Sequence, residues 1–340
     1  MNGVGRALSS GTLDAWFIDA LKAVDPDVEI QPALAQAETF TLLALSIGTL
    51  GGSLIPMFFA HLPAEGTAIL TPLSMPVVTS TGVYLLLLLA VIFLVQENHL
   101  PDKKNSWLEG VREIRPMIQT AVGLTRQNNI IKLLLVITVA SGFVLASLES
   151  FWPPHFSGLF GGSEQNTFWF GVILGGSFLA GVFGNMLVTP ISNAMGKRYA
   201  LVAGTFEGIR GIVIIGLALQ TNLPIAVLLF WIVYLNMGIT SSPYSTLLND
   251  QIPSSQRSSI LSIASLAFYL GGAIGGILLG FIAEQLSVGV AWVISGAILV
   301  IPFILYLRIE MIQKKGDMES DDKENDEDNE NKEDRLLEPG

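Results

Sequence analysis

An acid and a base at helical spacing are among the residues of this sequence whose types could do chemistry. Glu207 and Arg210 stand three positions apart inside an apolar stretch. Side chains at positions i and i+3 share one face of a helix, so these two can pair. The pair is either structural, joining two residues of one helix, or functional, holding substrate or coupling protons. The functional interpretation has weight because charges within membrane segments are costly.

Three other polar residues in apolar stretches are candidates for the same functions. Asp14 lies in the weakest of these stretches, near the start of the chain. Glu149 lies near the outer end of its stretch, where hydration of the carboxylate is the alternative interpretation. Asn236 lies within a long apolar run and can form hydrogen bonds across helices.

The composition indicates that these stretches cross a membrane. Only 14% of the 340 residues are charged, where a soluble domain has about 25%, and 51% are hydrophobic. Apolar runs of about 20 residues recur along the chain, and each is long enough to span a bilayer. An ordinary soluble enzyme is therefore excluded. Because the sequence has no Cys, it contains neither a disulfide framework nor a thiolate metal site.

Hydropathy predicts eight membrane spans and a weaker ninth. The eight lie near 39–61, 76–95, 130–152, 166–188, 200–220, 223–245, 259–284 and 289–308. The ninth, 3–20, is weaker because it carries Arg6, Asp14 and Asp19. The predicted fold class is an all-α integral membrane protein with about nine transmembrane helices.

The positions of the basic residues predict the orientation. The loops 62–75, 153–165, 221–222 and 285–288 contain no Lys or Arg. The alternate connections contain Lys22, Lys103, Lys104, Arg112, Arg115, Arg126, Lys197, Arg198, Arg257, Arg308, Lys314 and Lys315. Basic residues favour the cytoplasmic side, so we expect a multi-pass protein of the plasma (inner) membrane with a cytoplasmic C-terminus. If 3–20 also spans, Met1 lies outside.

The same pattern divides the chain into four parts. Residues 1–95 form a partial first bundle of three spans, and residues 130–308 form a bundle of six. The connection 96–129 has apolar residues at helical spacing, which favours a helix lying on the inner leaflet over a plain polar linker. Residues 309–340 carry 13 acids and 5 bases, a net charge of −8, and we expect a disordered acidic tail.

Glycine is concentrated in three of the spans. Pairs four residues apart let helix backbones approach closely. The residues concerned are Gly48, Gly52, Gly171, Gly175, Gly271, Gly275 and Gly276. They serve either as static packing or as a smooth surface on which two bundles rock.

Motifs of several other functional classes are absent from the sequence. There is no G-x-x-x-x-G-K-[ST] loop for ATP, no H-E-x-x-H and no G-x-S-x-G. The three His residues stand far apart, so they form no ligand cluster for a metal. The scattered bases of an acidic chain do not support binding of nucleic acid. We therefore expect no enzymatic activity and no cofactor.

Three segments resemble parts of the major facilitator superfamily, in particular its drug-efflux-like antiporters. The segment Gly3 to Gly11, with Arg6 and the following Asp14, is similar to the fourth helix of those transporters. Residues 248–253 (LNDQIP), which include Asn249 and Pro253, and then Arg257 resemble the junction of helices ten and eleven. The run Gly196, Lys197, Arg198 resembles the second cytoplasmic signature, with Thr189 in place of its first Gly and Asn193 in place of its Asp.

The resemblance implies a fold and a function. It implies a major-facilitator-type helical bundle in which the chain supplies helices 4–12 of twelve, so that three helices of an N-terminal segment are missing. The glycine-rich spans would then face the interface between the two halves. The implied function is secondary transport of a small organic solute by alternating access, as proton-coupled efflux, with Asp14, Glu207 and Glu149 ranked in that order for coupling. The alternative is a truncated, non-transporting membrane protein that binds a partner through its acidic tail.

Overall fold

The computed structural model describes residues 12–25, 28, 30–63, 70–94, 119, 122–123, 125–161, 167–253 and 256–315. Within these ranges the regular structure is helical, with no strands. The helices are α1 (Thr12–Val24), α2 (Ile30–Phe58), α3 (Met75–Leu94), α4 (Asn129–Leu159), α5 (Thr167–Ala194), α6 (Tyr199–Ala218), α7 (Leu223–Asp250), α8 (Arg257–Gln285) and α9 (Val288–Ile298). After a turn at Leu299 the last span continues as a helix over residues 300–315.

Eight helices of the described part are long and apolar enough to cross a membrane, which confirms the predicted all-α membrane fold. Of the ninth predicted span, 3–20, only the part within α1 is described. The predicted surface helix of the 96–129 connection lies almost entirely outside the described residues, as do residues 316–340 of the tail.

Several predicted spans end before their helices do, and α4 is one of them. The helix α4 runs to Leu159 rather than 152, with Pro153 and Pro154 inside it. Proline removes backbone hydrogen bonds but does not prevent a helix that tertiary packing holds in place. Here Phe156 is fully buried, and its ring lies 5.5 Å from that of Phe230 in α7.

The helices from α4 onward pack as one bundle. The closest pairs are α4 with α8, α5 with α7, and α6 with both α7 and α9. One apolar core gathers Leu134, Ala203, Leu248 and Tyr306, and a second gathers Phe156, Phe230 and Trp292. The helix α2 joins this bundle through α5 and, to a smaller extent, α7.

The glycines of α8 pack differently from the prediction. Gly271 and Gly275 were expected between the two bundles, but they face the backbone of Val139 and Phe143 in α4, within the six-helix bundle. Gly276 faces open space. Helix register decides this, because residues four apart share a stripe but the sequence does not say toward which neighbour the stripe points.

The glycines of α5 contact the first group of helices, which consists of α1, α2 and α3. A side chain at Gly171 would collide with Ser53 of α2, and one at Gly175 would lie 2.7 Å from Leu50. The hydroxyl of Ser46 in α2 donates to the carbonyl of Gly175 at 2.9 Å. Gly48 and Gly52 of α2 face open space.

The connection between α5 and α6 turns sharply and fixes an ion pair. Gly196 and Lys197 have φ angles of 67° and 58°, the left-handed region that commonly ends a helix. Arg198, next in the chain, pairs with Glu310. Glu310 is buried within helical residues 300–315, so the helical bundle extends past the predicted boundary at 308.

A pair of substitutions in α8 tests the close packing of α4 on α8. In Gly271→Ala the new methyl group meets the carbonyl of Val139, so we expect a loss of about 1–3 kcal/mol in stability. In Gly276→Ala the methyl group enters open space, and the helix gains about 0.5–1 kcal/mol from lower backbone entropy. Thermal unfolding in lipid nanodiscs measures both. Equal melting temperatures for the two variants would contradict the packing.

Candidate functional site

The acid and base singled out in the sequence form an ion pair inside the bundle. Glu207 Oε2 lies 2.7 Å from a terminal guanidinium nitrogen of Arg210, and only 3% and 6% of these residues is exposed. The hydroxyl of Ser141 in α4 lies 3.5 Å from Glu207 Oε1, the outer limit of a hydrogen bond. The pair therefore faces α4 and not the lipid.

Small residues in α6 let the helix that carries the pair pack closely against the last span. A side chain at Gly211 would lie 2.7 Å from the carbonyl of Gly296 in α9, and one at Gly204 would lie 2.8 Å from Tyr306. Because α6 approaches the last span this closely on its glycine side, the longer side chains of Glu207 and Arg210 occupy the remaining space in the bundle.

The ion pair leaves hydrogen-bonding capacity unused. Among the described residues, neither Glu207 Oε2 nor Arg210 Nε has a hydrogen-bond partner of good geometry, although both atoms are buried. The 2.7 Å contact is thus a close approach of charges without an aligned hydrogen bond. A buried polar atom without a partner is costly, by about 1–3 kcal/mol or more for charged groups. Such atoms are suited to receiving a ligand.

A cavity of about 170 Å³ lies beside the pair. Its walls combine aromatic and hydroxyl side chains from α4, α6, α7, α8 and the last span. They are Ile137, Thr138, Ser141, Glu207, Arg210, Met237, Thr240, Ser241, Tyr244, Phe268 and Tyr306. The hydroxyls of Tyr244 and Thr138 lie 2.6 Å apart and tie α7 to α4 across it.

Two further cavities adjoin the first along α7. One of about 240 Å³ shares Thr138, Tyr244 and Phe268 with it. Another of about 400 Å³ shares Ser241 with it. This third cavity, the largest of the three, lies between the two groups of helices. Its walls on one side come from α1 and α2 (Phe17, Ile18, Leu34, Ala37, Glu38 and Thr41). Its walls on the other side come from α7 and α8 (Ser242, Ser245, Asn249 and Leu261).

Several wall residues were missed in the sequence. Thr138, Ser141 and Tyr244 carry the polar lining, yet each is an ordinary residue of a membrane span when taken alone. Glu38 was placed just outside a span, but α2 begins at Ile30, so Glu38 lies within a helix and lines the largest cavity. The run of hydroxyl residues from Thr240 to Ser242 was the available signal.

Two other predicted site residues whose side chains the structure describes, Asn236 and Glu149, do not line the cavity beside the ion pair. Asn236 is buried, and its amide donates to the carbonyl of Ile232 at 2.7 Å within α7. Glu149 is exposed within α4, well before the helix ends at Leu159. Asp14 belongs to α1, but its side chain is outside the described residues, as is Arg6 entirely. Among the coupling candidates whose side chains are described, Glu207 and Arg210 are the two that are brought together.

The predicted loop residues lie at helix ends. Asn249 lines the largest cavity and donates to the carbonyl of Ser245 at 2.8 Å. Pro253 is exposed in the connection between α7 and α8, and Arg257 is buried at the first position of α8. Among the described residues, no three His, Asp or Glu side chains are grouped to hold a metal ion.

Comparison with known proteins agrees with this architecture. Residues 170–333 match the family model of the Major Facilitator Superfamily. The match includes Glu207, Arg210, Tyr244 and Tyr306, and it supports the resemblance to this superfamily. A search among curated proteins found no match to the chain.

A double-mutant cycle tests whether the two charges depend on each other. Glu207→Leu or Arg210→Met alone leaves one buried charge uncompensated, which costs about 3–5 kcal/mol. The double variant removes both charges and keeps similar volumes, so we expect it to be more stable than either single variant. Unfolding in nanodiscs measures the three changes. Additive losses would contradict a coupled pair.

Proposed function

We propose that this chain, whose all-α membrane bundle is of the Major Facilitator type, is a secondary transporter that moves a small organic solute by alternating access. The observation that carries the proposal is a row of neighbouring cavities along α7: one lies between the two helix groups, and another, which shares Ser241 with it, is lined by the buried ion pair. We also propose a location in the plasma (inner) membrane with the C-terminus in the cytoplasm.

The position of the largest cavity supports access from one side. Leu34 lies near the beginning of α2 and Asn249 near the end of α7, and the distribution of Lys and Arg predicts that both ends are cytoplasmic. A solute would enter there and reach the pair near the middle of the bundle, where substrates of such transporters bind between repeats.

Proton-coupled export is the finer part of the proposal. Glu207 is an ionisable acid in contact with a cavity, and protonation would release its hold on Arg210. A proton and a solute would then compete for the same pair of side chains. Asp14 is retained as a second proton-coupling candidate.

Flux measurements test the proposal directly. In proteoliposomes with an imposed pH gradient, we expect solute-dependent proton movement with the wild-type protein. Glu207→Gln and Arg210→Gln should each lower it by at least about tenfold. Each variant loses a charge that would bind the solute, and a charge-assisted hydrogen bond to the solute is worth about 1.5–3 kcal/mol. Glu284→Gln, the same change at an exposed carboxylate of α8, should leave flux unchanged.

Removal of residues 316–340 separates the proposal from its alternative. A transporter keeps its flux without the acidic tail, whereas a non-transporting protein that acts through the tail loses its partner and shows no flux in either form. Wild-type flux by both Glu207→Gln and Arg210→Gln would exclude the pair from transport.

We further propose that three helices precede the chain in the complete transporter. The spans of the first helix group are mostly not packed against other helices. In their most apolar parts, Pro72–Phe93 has no buried residue and Pro32–Phe58 has 6% of its residues buried. The corresponding share in Phe168–Ala194 is 50%. Gly48 and Gly52 of α2 also face open space, whereas Gly271 and Gly275 of α8 are packed against α4.

The mass of the native protein tests this expectation. Three spans with their loops add roughly 90–100 residues, since each span needs about 20. We expect mass spectrometry and N-terminal sequencing of the natively expressed protein to show that extension. A native N-terminus at Met1 would contradict it and would leave two explanations, a partner that supplies the three helices or a truncated remnant that does not transport.

A further inference from the structure

We propose that the solute is a zwitterion, a small molecule with an ammonium and a carboxylate group close together and an apolar arm. This rests on the proposed function, because it assigns a substrate class to the cavity beside Glu207 and Arg210. The inference depends on three features of the site: two buried polar atoms of the ion pair that lack an aligned hydrogen bond, the zero net charge of the pair, and a mainly apolar cavity next to it.

The two buried atoms that lack an aligned hydrogen bond define which ligand groups would complement the site. Glu207 Oε2 is an acceptor and Arg210 Nε a donor, both buried and both without a hydrogen bond among the described residues. A ligand ammonium would donate to the first, and a ligand carboxylate would accept from the second. Guanidinium suits the second contact because its planar fork matches a carboxylate. The hydroxyl of Ser141, close to Glu207 Oε1, offers another polar contact.

The charge balance favours a ligand with both groups. Glu207 and Arg210 neutralise each other at 2.7 Å. A purely cationic or purely anionic ligand would add an uncompensated charge to a site of low dielectric, which is costly. A zwitterion adds none, and its two ends can lie against the two side chains of opposite sign.

The neighbouring chamber determines the remainder of the molecule. The cavity of about 240 Å³ adjoins the charged one at Thr138, Tyr244 and Phe268. Its other walls are mainly apolar and are formed by Leu248, Leu261, Ala264 and Tyr269, with the hydroxyls of Ser245 and Ser265 among them. A branched aliphatic or single aromatic group attached to the zwitterionic head would be accommodated there.

Binding measurements with matched probes test the charge requirement. The first set shares a phenyl arm: L-phenylalanine, phenethylamine and 3-phenylpropanoate. The second shares a branched aliphatic arm: L-leucine, 3-methylbutan-1-amine and 4-methylpentanoate. Calorimetry on the complete native protein in nanodiscs should show that at least one zwitterion binds ten times or more as tightly as its amine and acid analogues. Failure of both zwitterions to bind, or tighter binding of an amine or an acid, overturns the proposal.

Two variants should show opposite changes in preference. Glu207→Gln leaves the positive charge of Arg210 alone, so the acid analogue should bind more tightly than the amine. Arg210→Gln leaves the negative charge of Glu207, so the amine should bind more tightly than the acid. Glu284→Gln should keep the wild-type preference. If the pair were merely structural, both substitutions would weaken the binding of all three kinds of ligand alike, and that result would overturn the proposal. If either variant fails to fold, the wild-type comparison decides.

The binding measurement separates this inference from the proposed transport. Binding at equilibrium does not require flux, so a zwitterion that binds without being moved would contradict transport and leave the ligand class standing. Flux of a cation or an anion, with no binding of either zwitterion, would leave transport standing and overturn the ligand class.

Discussion

The pairing of Glu207 with Arg210 in a hydrocarbon environment is the interaction around which the site is organised. Neither charge could stay in the bundle without the other, because an isolated charge there costs far more than a paired one. The pair is also incomplete, since one oxygen and one nitrogen remain without aligned partners among the described residues. A fully satisfied pair would be a structural element, whereas this one retains polar atoms next to a cavity.

The cavity itself follows from where the helices touch. On its glycine side α6 approaches the last span at Gly204 and Gly211, and α8 meets α4 at Gly271 and Gly275. These close contacts fix the positions of α4, α6 and α8 around a space that their larger side chains do not fill. The chamber between them is therefore a consequence of backbone packing elsewhere and does not depend on a flexible loop.

Much of the fold was predictable because hydropathy and charge act locally. The eight spans follow from apolar length, and the pairing of Glu207 with Arg210 follows from their spacing in one helix. The lining of the cavity did not follow, because Thr138 and Tyr244 are 106 residues apart and meet only through tertiary packing. The contact of Gly271 with Val139 of α4 did not follow either, for the same reason. The predicted end of the bundle at 308 was too early, because Glu310 is held by Arg198 through an ion pair that hydropathy does not detect.

The two kinds of glycine contact have different mechanical consequences. Within the six-helix bundle, Gly142, Gly271 and Gly275 meet backbone atoms, so no rotamer change can relieve a shift between α4 and α8. Between α5 and α2, Gly175 meets the branched end of Leu50, which can change rotamer, whereas Gly171 lies against Ser53 Cβ, which no rotamer change moves. A shift of α2 against α5 would therefore be easier at Gly175 than a shift of α4 against α8. Such a movement would alter the large cavity between the groups, because α1 and α2 form part of its walls. It would leave the cavity beside Glu207 and Arg210 intact, because those walls come from the six-helix bundle alone.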